Sequence, residues 1–589
     1  MDHLNRRELL LSLAGAALGA TLSACQFPSA RVQSPPTSLG DQLRGKKRPN
    51  ILLIVTDQEF HRLPRPEGFS LPNREWLKER GVTFNNYYTT TAPCTPSRAT
   101  IFTGQHVPLT RMFDNINFPY VGNLPILQTL PTVGNMLRQS DYHCAYKGKW
   151  HLTRGAGSEM KDKGGKSLVK ALDPYGFESF NPMGDFHGNS WTGFLHDPEI
   201  AQLAEEWLVK EAPSLSDDKP WFLTVGFVNP HDVMFADNNV NGEKVQTNTG
   251  PFKIKTPPEA AQYKKDWRPD LPSTLHASLD DKPRAHKDYQ RLMDLFFGPM
   301  PTDREDMYRA NLNYYLNCLQ DVDVQIGRVL KALELSGQAD NTIILFTADH
   351  GDMMGAHGLR QKGPLIYREN LNVPMVVVHP DNKGKAGTSS DALVSSLDLT
   401  PTLLGFGGLS REMRMSYFPF LKGFDFGNVI TDPSRAGERA DKAGAMLFTY
   451  DSLNSVDVDF MTALTKVVDE GFRGLELTVP PALRPNFEKR GFLRGMFDGQ
   501  YKFARYFGPV RYNRPRSFEA LVAENDLELY DVKADPDEKN NLAAQPETQK
   551  ELITRLNFKL EALITAEIGD DTTIDLPELP KLRPMQFQT

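Results

Sequence analysis

Four runs constrain this 589-residue chain more than anything else in it: NILLIVTDQ (50–58), YHCAYKGKWH (142–151), PWFLTVGFVNPHD (220–232) and NTIILFTADHGD (341–352). Each is a short stretch of apolar, β-branched or aromatic residues that ends in charged, amide or imidazole side chains. Continuous apolar runs of this length suit strands covered on both faces, the condition of a parallel sheet packed between helices. Helical patterns separate them: NREWLKERG (73–81), with Gly81 as the expected C′ residue, LPTVGNMLRQS (130–140), PEIAQLAEEWLVKEA (198–212), and a long helix over 304–336 closed by Gly337. NVPMVVVHP (372–380) reads as a further strand. The alternation predicts an α/β fold with a mostly parallel central sheet flanked by helices.

The rest of the chain divides by pattern. Residues 233–301 are polar and proline-rich with little periodicity, and read as a long insertion shaping the mouth of a site. Beyond about residue 440 come short strand patterns, GAMLFTY, RGMFDGQYKFARYF and LELYD, then a helix at PETQKELITRLNFKLEALITAE. These predict a small C-terminal α+β domain over 441–589, after a large domain over 49–440. The first 25 residues hold Arg6-Arg7, an apolar run and the ending Leu22-Ser23-Ala24-Cys25. They read as a twin-arginine-like export signal, ending in a lipobox that would make Cys25 a lipid anchor in the periplasm or cell envelope. The apolar run is short of the roughly 20 residues that a membrane span needs. Residues 26–48, rich in Pro, Ser and Gly, read as a tether.

Composition excludes some partners. A net charge of −7 gives no basic surplus for nucleic acid. Four cysteines, Cys25, Cys94, Cys144 and Cys318, make no disulfide framework. Cys94 stands apart, between two prolines at the start of a helical pattern, where a free thiol would ordinarily sit in apolar company.

In open α/β sheets ligands gather beyond the carboxyl ends of the strands. There the chain offers Asp57, Gln58, Asp349 and His350, donors suited to one divalent cation. Taken singly, an Asp after a strand is ordinarily a turn former and a lone His a satisfied core residue. Two such pairs on two strands of one sheet favour a metal.

Five blocks occur in order: CTPSRATIFTG (94–104), DYHCAYKGKWH (141–151), NPH (229–231), TADHGDMMGAHG with a following lysine (347–362), and LYDVKADPDEKNNLA (529–543). Over about residues 49–545 the chain resembles the formylglycine-dependent sulfatases of the alkaline-phosphatase-like superfamily. The resemblance implies an alkaline-phosphatase-like large domain and hydrolysis of a sulfate ester to an alcohol and sulfate. It implies that a maturation enzyme oxidises Cys94 to formylglycine. It further implies that one oxygen of the hydrated aldehyde binds the metal and attacks sulfur, expelling the alcohol, and that the second hydroxyl then collapses to the aldehyde and ejects sulfate. By the same resemblance Asp57, Gln58, Asp349, His350 and residue 94 ligate the cation, with calcium first and manganese or zinc admitted by the imidazole. Arg98 and Lys149 are charged donors around the diol and sulfate, and His151 takes the diol proton. His231 and Lys362 hold the ester and assist the leaving oxygen, and Asn115 contacts the substrate.

Two departures bear on substrate and site. Asp57-Gln58 and Asp349-His350 depart from the family's common pairs, and the Asp349-His350 pair resembles the choline-sulfatase and phosphonate monoester hydrolase branches; sulfate esters and phosphodiesters are both monoanions, so a phosphonate monoester or phosphodiester hydrolase is the alternative reading. A non-catalytic envelope lipoprotein binding sulfated glycans is a third. Cys144 replaces a family threonine and, with Cys318, reads as an inert buried thiol; Lys147 and His357 read as structural. Specificity is expected from 233–301 and from 406–445.

Overall fold

The computed structural model describes residues 38–43, 45–116, 128–153, 167–215, 219–247, 252–469, 485–511 and 514–571. The expected export signal with Cys25 and most of the expected tether lie outside them. The last part of that tether is not loose: Leu39–Leu43 is a short helix whose Leu39 and Leu43 are buried in the main core. The fold therefore begins ahead of residue 49.

The strands in chain order are β1 (Asn50–Asp57), β2 (Val82–Phe84), β3 (Tyr87–Tyr88), β4 (His143–Gly148), β5 (Trp221–Pro230), β6 (Thr342–Ala348), β7 (Met375–Val378), β8 (Thr388–Ser390), β9 (Val394–Ser395), β10 (Met446–Tyr450), β11 (Phe492–Phe497), β12 (Tyr501–Phe507) and β13 (Asp526–Asp531). Seven form the central sheet in the order β4-β5-β1-β6-β7-β2-β8. The four polar-tipped runs are β4, β5, β1 and β6, adjacent and mutually parallel, so their carboxyl ends share one edge. The strand at NVPMVVVHP, β7, runs antiparallel to both neighbours.

Why β1 lacks polar alternation follows from its two faces. Ile51, Leu53 and Val55 pack with Ala99, Ile101 and Phe102 of the helix Cys94–Thr103. Leu52 and Ile54 pack on the opposite face with Ile200 and Ala204 of the helix Thr192–Glu206 and with Val322 and Ile326 of the helix Glu305–Leu335. Both faces are core, so both sets of alternate residues are apolar.

Two expectations are corrected. Gly81 ends its helix with φ −118°, extended rather than left-handed. Its need for no side chain is steric, since a Cβ there would lie 2.6 Å from the carbonyl oxygen of Val377. The insertion is not aperiodic throughout: Arg284–Phe297 is a helix burying Ala285, Tyr289, Leu292, Met293 and Phe296. Segment 406–445, expected to shape specificity, sits beside Gly104 through Leu421 and against Phe84 through Phe426. Gly104 ends the Cys94 helix about 15 Å from its first residue at 1.5 Å per residue.

Strands β10–β13 form an antiparallel sheet. One face packs on the helix Lys550–Glu567, the other on the helix Arg284–Phe297. The second contact contains a buried polar knot. Tyr506 and Tyr530 hydroxyls donate to the Glu528 carboxylate at 2.7 and 2.6 Å, and His286 Nε2 lies 3.5 Å from it. Burial alone would raise the Glu528 pKa, but His286 and the hydroxyls hold it at about 2. The folded value lies below the unfolded one, so the stabilisation is complete above about pH 4.5 and is lost as pH falls toward 2. Glu528→Gln should thus destabilise the protein at pH 7, by about 3 kcal/mol from a shift of this size. The gap to the parent should close progressively below pH 4.5. Urea melts of both proteins across that range check it, and a pH-independent gap would count against it.

No helix among the described residues is long and apolar enough to cross a membrane.

Candidate active site at the strand tips

The four carboxyl ends deliver Asp57 from β1, Lys149 and His151 after β4, His231 after β5, and Asp349 and His350 after β6. Cys94 opens the helix Cys94–Thr103, which lies under the same edge and is buried throughout. Ligand atoms of Asp57, Cys94, Asp349 and His350 all lie within 4.8 Å of one another, and all four residues are buried. The Cys94 thiol donates to Asp57 Oδ1 at 3.6 Å, and its sulfur lies 3.1 Å from His350 Nε2. His350 Nδ1 lies 2.9 Å from the Gly351 carbonyl oxygen. With Nδ1–H donating there, Nε2 turns its lone pair to the cluster. Two carboxylates, an imidazole and residue 94 form a mixed donor set that fits one divalent cation.

Gln58 joins this group by its backbone, whose N–H donates to Asp349 Oδ1 at 3.1 Å. Its carboxamide is turned to Asp352, which accepts from it, and to Lys362, which donates to it. A carboxamide oxygen has two lone pairs, so the Lys362 contact leaves one for a cation.

Arg98 ties the cluster together. Its Nε donates to Asp349 Oδ2 at 2.8 Å, one terminal nitrogen to Asp57 Oδ2 at 3.2 Å, and the other to the Lys149 carbonyl at 2.7 Å. Lys149 Nζ lies 2.8 Å from the same Asp57 Oδ2. Burial would favour a neutral Lys149, yet Asp57 and Cys94 outweigh it and raise its pKa. Burial likewise opposes ionised Asp57, but the charges of Lys149 and Arg98 hold it well below the usual carboxylate range. For Asp349, burial and the nearby Asp57 prevail and push the pKa up.

The remaining expected residues are also placed. His151 and His231 are driven well below the usual imidazole range, first by burial and then by Lys149. Both are therefore neutral at pH 7. His231 Nδ1 makes no hydrogen bond among the described residues. Lys362 contacts Met234 Sδ at 3.4 Å, which brings the start of the insertion to the site. Asn115 is drawn into the scaffold, its Oδ1 accepting the Thr95 backbone N–H at 3.0 Å in the first turn of the Cys94 helix.

Residues set aside as structural lie elsewhere. His357 stacks on Tyr367 at 3.9 Å, and Lys147 donates to Ser179 at 2.9 Å. Cys144 and Cys318 are buried, and burial raises both thiol pKa values. Cys144 sits near the amino end of β4, away from the tips. Sequence reasoning missed Ser97, which donates to the Asp349 carbonyl and bonds Thr89 at 2.9 Å, and Tyr146, whose hydroxyl donates to the Lys149 carbonyl at 2.6 Å. It also missed Asp185 and His187, which no spacing signal distinguishes from turn residues.

The sulfatase family profile matches residues 49–409, more than half of the chain. The chain belongs to the sulfatase family. It is a sulfuric ester hydrolase, and the buried Asp57–Cys94–Asp349–His350 cluster lies inside the matched span. This sulfatase is 27% identical to the sulfatase YidJ of Escherichia coli over 387 residues, covering 62% of this chain and 69% of that one. It is 25% identical to an ulvan-active sulfatase of Formosa agariphila over 545 residues, covering 89% and 82%. Its fold resembles the crystal structure of a phosphonate monoester hydrolase of Agrobacterium radiobacter, with TM-score 0.59 and 21% identity over 88% of this chain and 96% of that one.

Proposed function

We propose that this sulfatase cleaves the sulfate ester of a small molecule or carbohydrate at residue 94, after a maturation enzyme has oxidised Cys94 to formylglycine. Asp57, Gln58, Asp349, His350 and residue 94 would hold one divalent cation, calcium first, with manganese or zinc admitted by His350. The observation that carries the reading is the arrangement around Cys94, buried at a helix N-terminus beside two carboxylates, with Arg98 and Lys149 bound to those carboxylates. A bound cation supplies Lewis acidity to residue 94 and to a sulfate oxygen.

The chain's own groups do the rest. Arg98 and Lys149 provide fixed positive charge where negative charge shifts during transfer, in a site that excludes water. His151, neutral at pH 7, takes a proton from the residue 94 hydroxyl as sulfate departs. His231, also neutral, hydrogen-bonds the leaving oxygen, and Lys362 adds charge beside it. Asn115 holds the first turn of the nucleophile helix and faces the substrate with what remains of its carboxamide. Arg6-Arg7 and the Leu-Ser-Ala-Cys ending support export as a lipoprotein anchored at Cys25 in the cell envelope.

A second reading has its own support. The Asp349-His350 pair and the fold likeness to a phosphonate monoester hydrolase favour a monoanionic phosphorus ester in the same site. One experiment addresses both. Turnover of nitrophenyl sulfate and of a nitrophenyl phenylphosphonate is compared before and after exhaustive chelation, with metal content measured. We expect one divalent ion per chain, a preference for the sulfate, and at least about a 100-fold loss on chelation that the ion reverses. Full activity in metal-stripped protein would sink the cation role. A large preference for the phosphonate would move the primary activity to the second reading.

A further inference from the structure

The short segment 185–188, Asp-Phe-His-Gly, runs between the two site histidines. Asp185 is buried, and its two carboxylate oxygens accept the backbone N–H groups of Trp150 at 2.8 Å and His151 at 2.7 Å. His151 has φ 58°, a left-handed backbone that few non-glycine residues adopt without support. The Thr95 hydroxyl, which donates to the His151 carbonyl at 2.8 Å, holds the other side of that residue. His187 Nε2 lies 3.4 Å from Asp185, and its ring is 5.1 Å from the His151 ring. One residue on, the backbone passes so close to His231 that a Cβ on Gly188 would lie 2.1 Å from Cε1 and 2.3 Å from Nδ1.

We infer that Asp185 and Gly188 are positioning residues: Asp185 sets the turn that presents His151, and the bare backbone of Gly188 sets the plane of the His231 ring. Neither is placed against substrate. Each acts through the histidine that it touches, and the four-residue strap fixes the separation of the two rings. The inference rests on the roles proposed above for those histidines, sulfate departure for His151 and leaving-oxygen assistance for His231.

The two contacts predict different kinetic signatures from residues three apart. In Asp185→Ala the second half of the cycle slows, so nitrophenol appears in a first-turnover burst ahead of sulfate. Asp185→Asn keeps one acceptor and restores much of the steady rate. In Gly188→Ala, nitrophenyl sulfate, with its good leaving group, loses less than about tenfold. An alkyl sulfate, which needs the leaving oxygen assisted, loses about 100-fold or more, within the range for general acid–base groups. His151→Ala and His231→Ala are run beside them, with conversion of Cys94 verified by peptide mass.

If His151→Ala bursts and Asp185→Ala does not, or if His231→Ala shows the leaving-group split and Gly188→Ala does not, the strap inference is overturned while the functional reading stands. If the histidine variants themselves lack these signatures, the reading beneath has failed, and the inference with it. Should Gly188→Ala not fold, the Asp185 pair still decides, since a purely structural loss would lower both product traces equally and give no burst.

Discussion

Cys94→Ser removes steady-state hydrolysis of nitrophenyl sulfate, by about 10³-fold or more on the scale of losing a catalytic nucleophile. It still releases up to one equivalent of nitrophenol per chain. Serine places a hydroxyl at the same buried helix start, facing the same Asp57 and His350. It can attack sulfur once, but it carries no second hydroxyl through which the resulting ester could collapse. The serine variant should therefore retain the mass of one sulfuryl group on the peptide containing residues 94–98. In the parent that peptide should show the conversion of the cysteine to an aldehyde. Sustained turnover by the serine variant would remove the need for a hydrated aldehyde, and with it the proposed cycle.

Arg98→Ala should cost more than activity. The guanidinium is fully buried and carries contacts to Asp57, Asp349 and the Lys149 carbonyl. Removing one partner from a buried ion pair costs about 3–5 kcal/mol, because the charge left behind is uncompensated. Here two carboxylates are left near one another, with Lys149 still paired to one of them. We expect a clear fall in melting temperature and a loss of about 10²–10³ in kcat/KM, the usual scale for one preorganised donor. A divalent cation should return part of the lost stability, because it binds between the same carboxylates. Arg98→Lys should recover little, since a single ammonium cannot span three acceptors set in a fork. A melt unchanged by Arg98→Ala, with or without the ion, would contradict the role given to this residue.

Much of the site was legible because its groups follow strands that are apolar on both faces. In β1 and β6 the pattern breaks at Asp57 and at Asp349, and the sheet then places both breaks on one edge. What stayed hidden was set by groups that act through main-chain atoms. Asp185 accepts two backbone N–H groups and Ser97 bonds a backbone carbonyl, contacts that depend on the path of the chain rather than on a spacing of residue types. The helix Arg284–Phe297 was obscured by the prolines and charges around it, although Ala285, Tyr289, Leu292, Met293 and Phe296 fall on one helical face. Gly81 does close its helix, but extended rather than left-handed, and the closeness of Val377 in a neighbouring strand, which no residue type announces, is what requires a glycine there. That Leu39 and Leu43 belong to the core could not be read from a stretch so rich in polar and small residues.

The wide sequence separation within the cluster has a temporal side. Cys94 meets His350 across 256 residues, and in the finished fold the thiol is sealed from solvent. Synthesis at about 5–20 residues per second puts on the order of 10–50 s between the emergence of one and of the other. During that interval Asp349 and His350 are absent from its surroundings, and on the maturation proposed above this is when an oxidising enzyme reaches the sulfur. Translation speed would then be a quantitative control on the fraction of molecules that ever become active, and slower ribosomes should yield a better catalyst from the same gene.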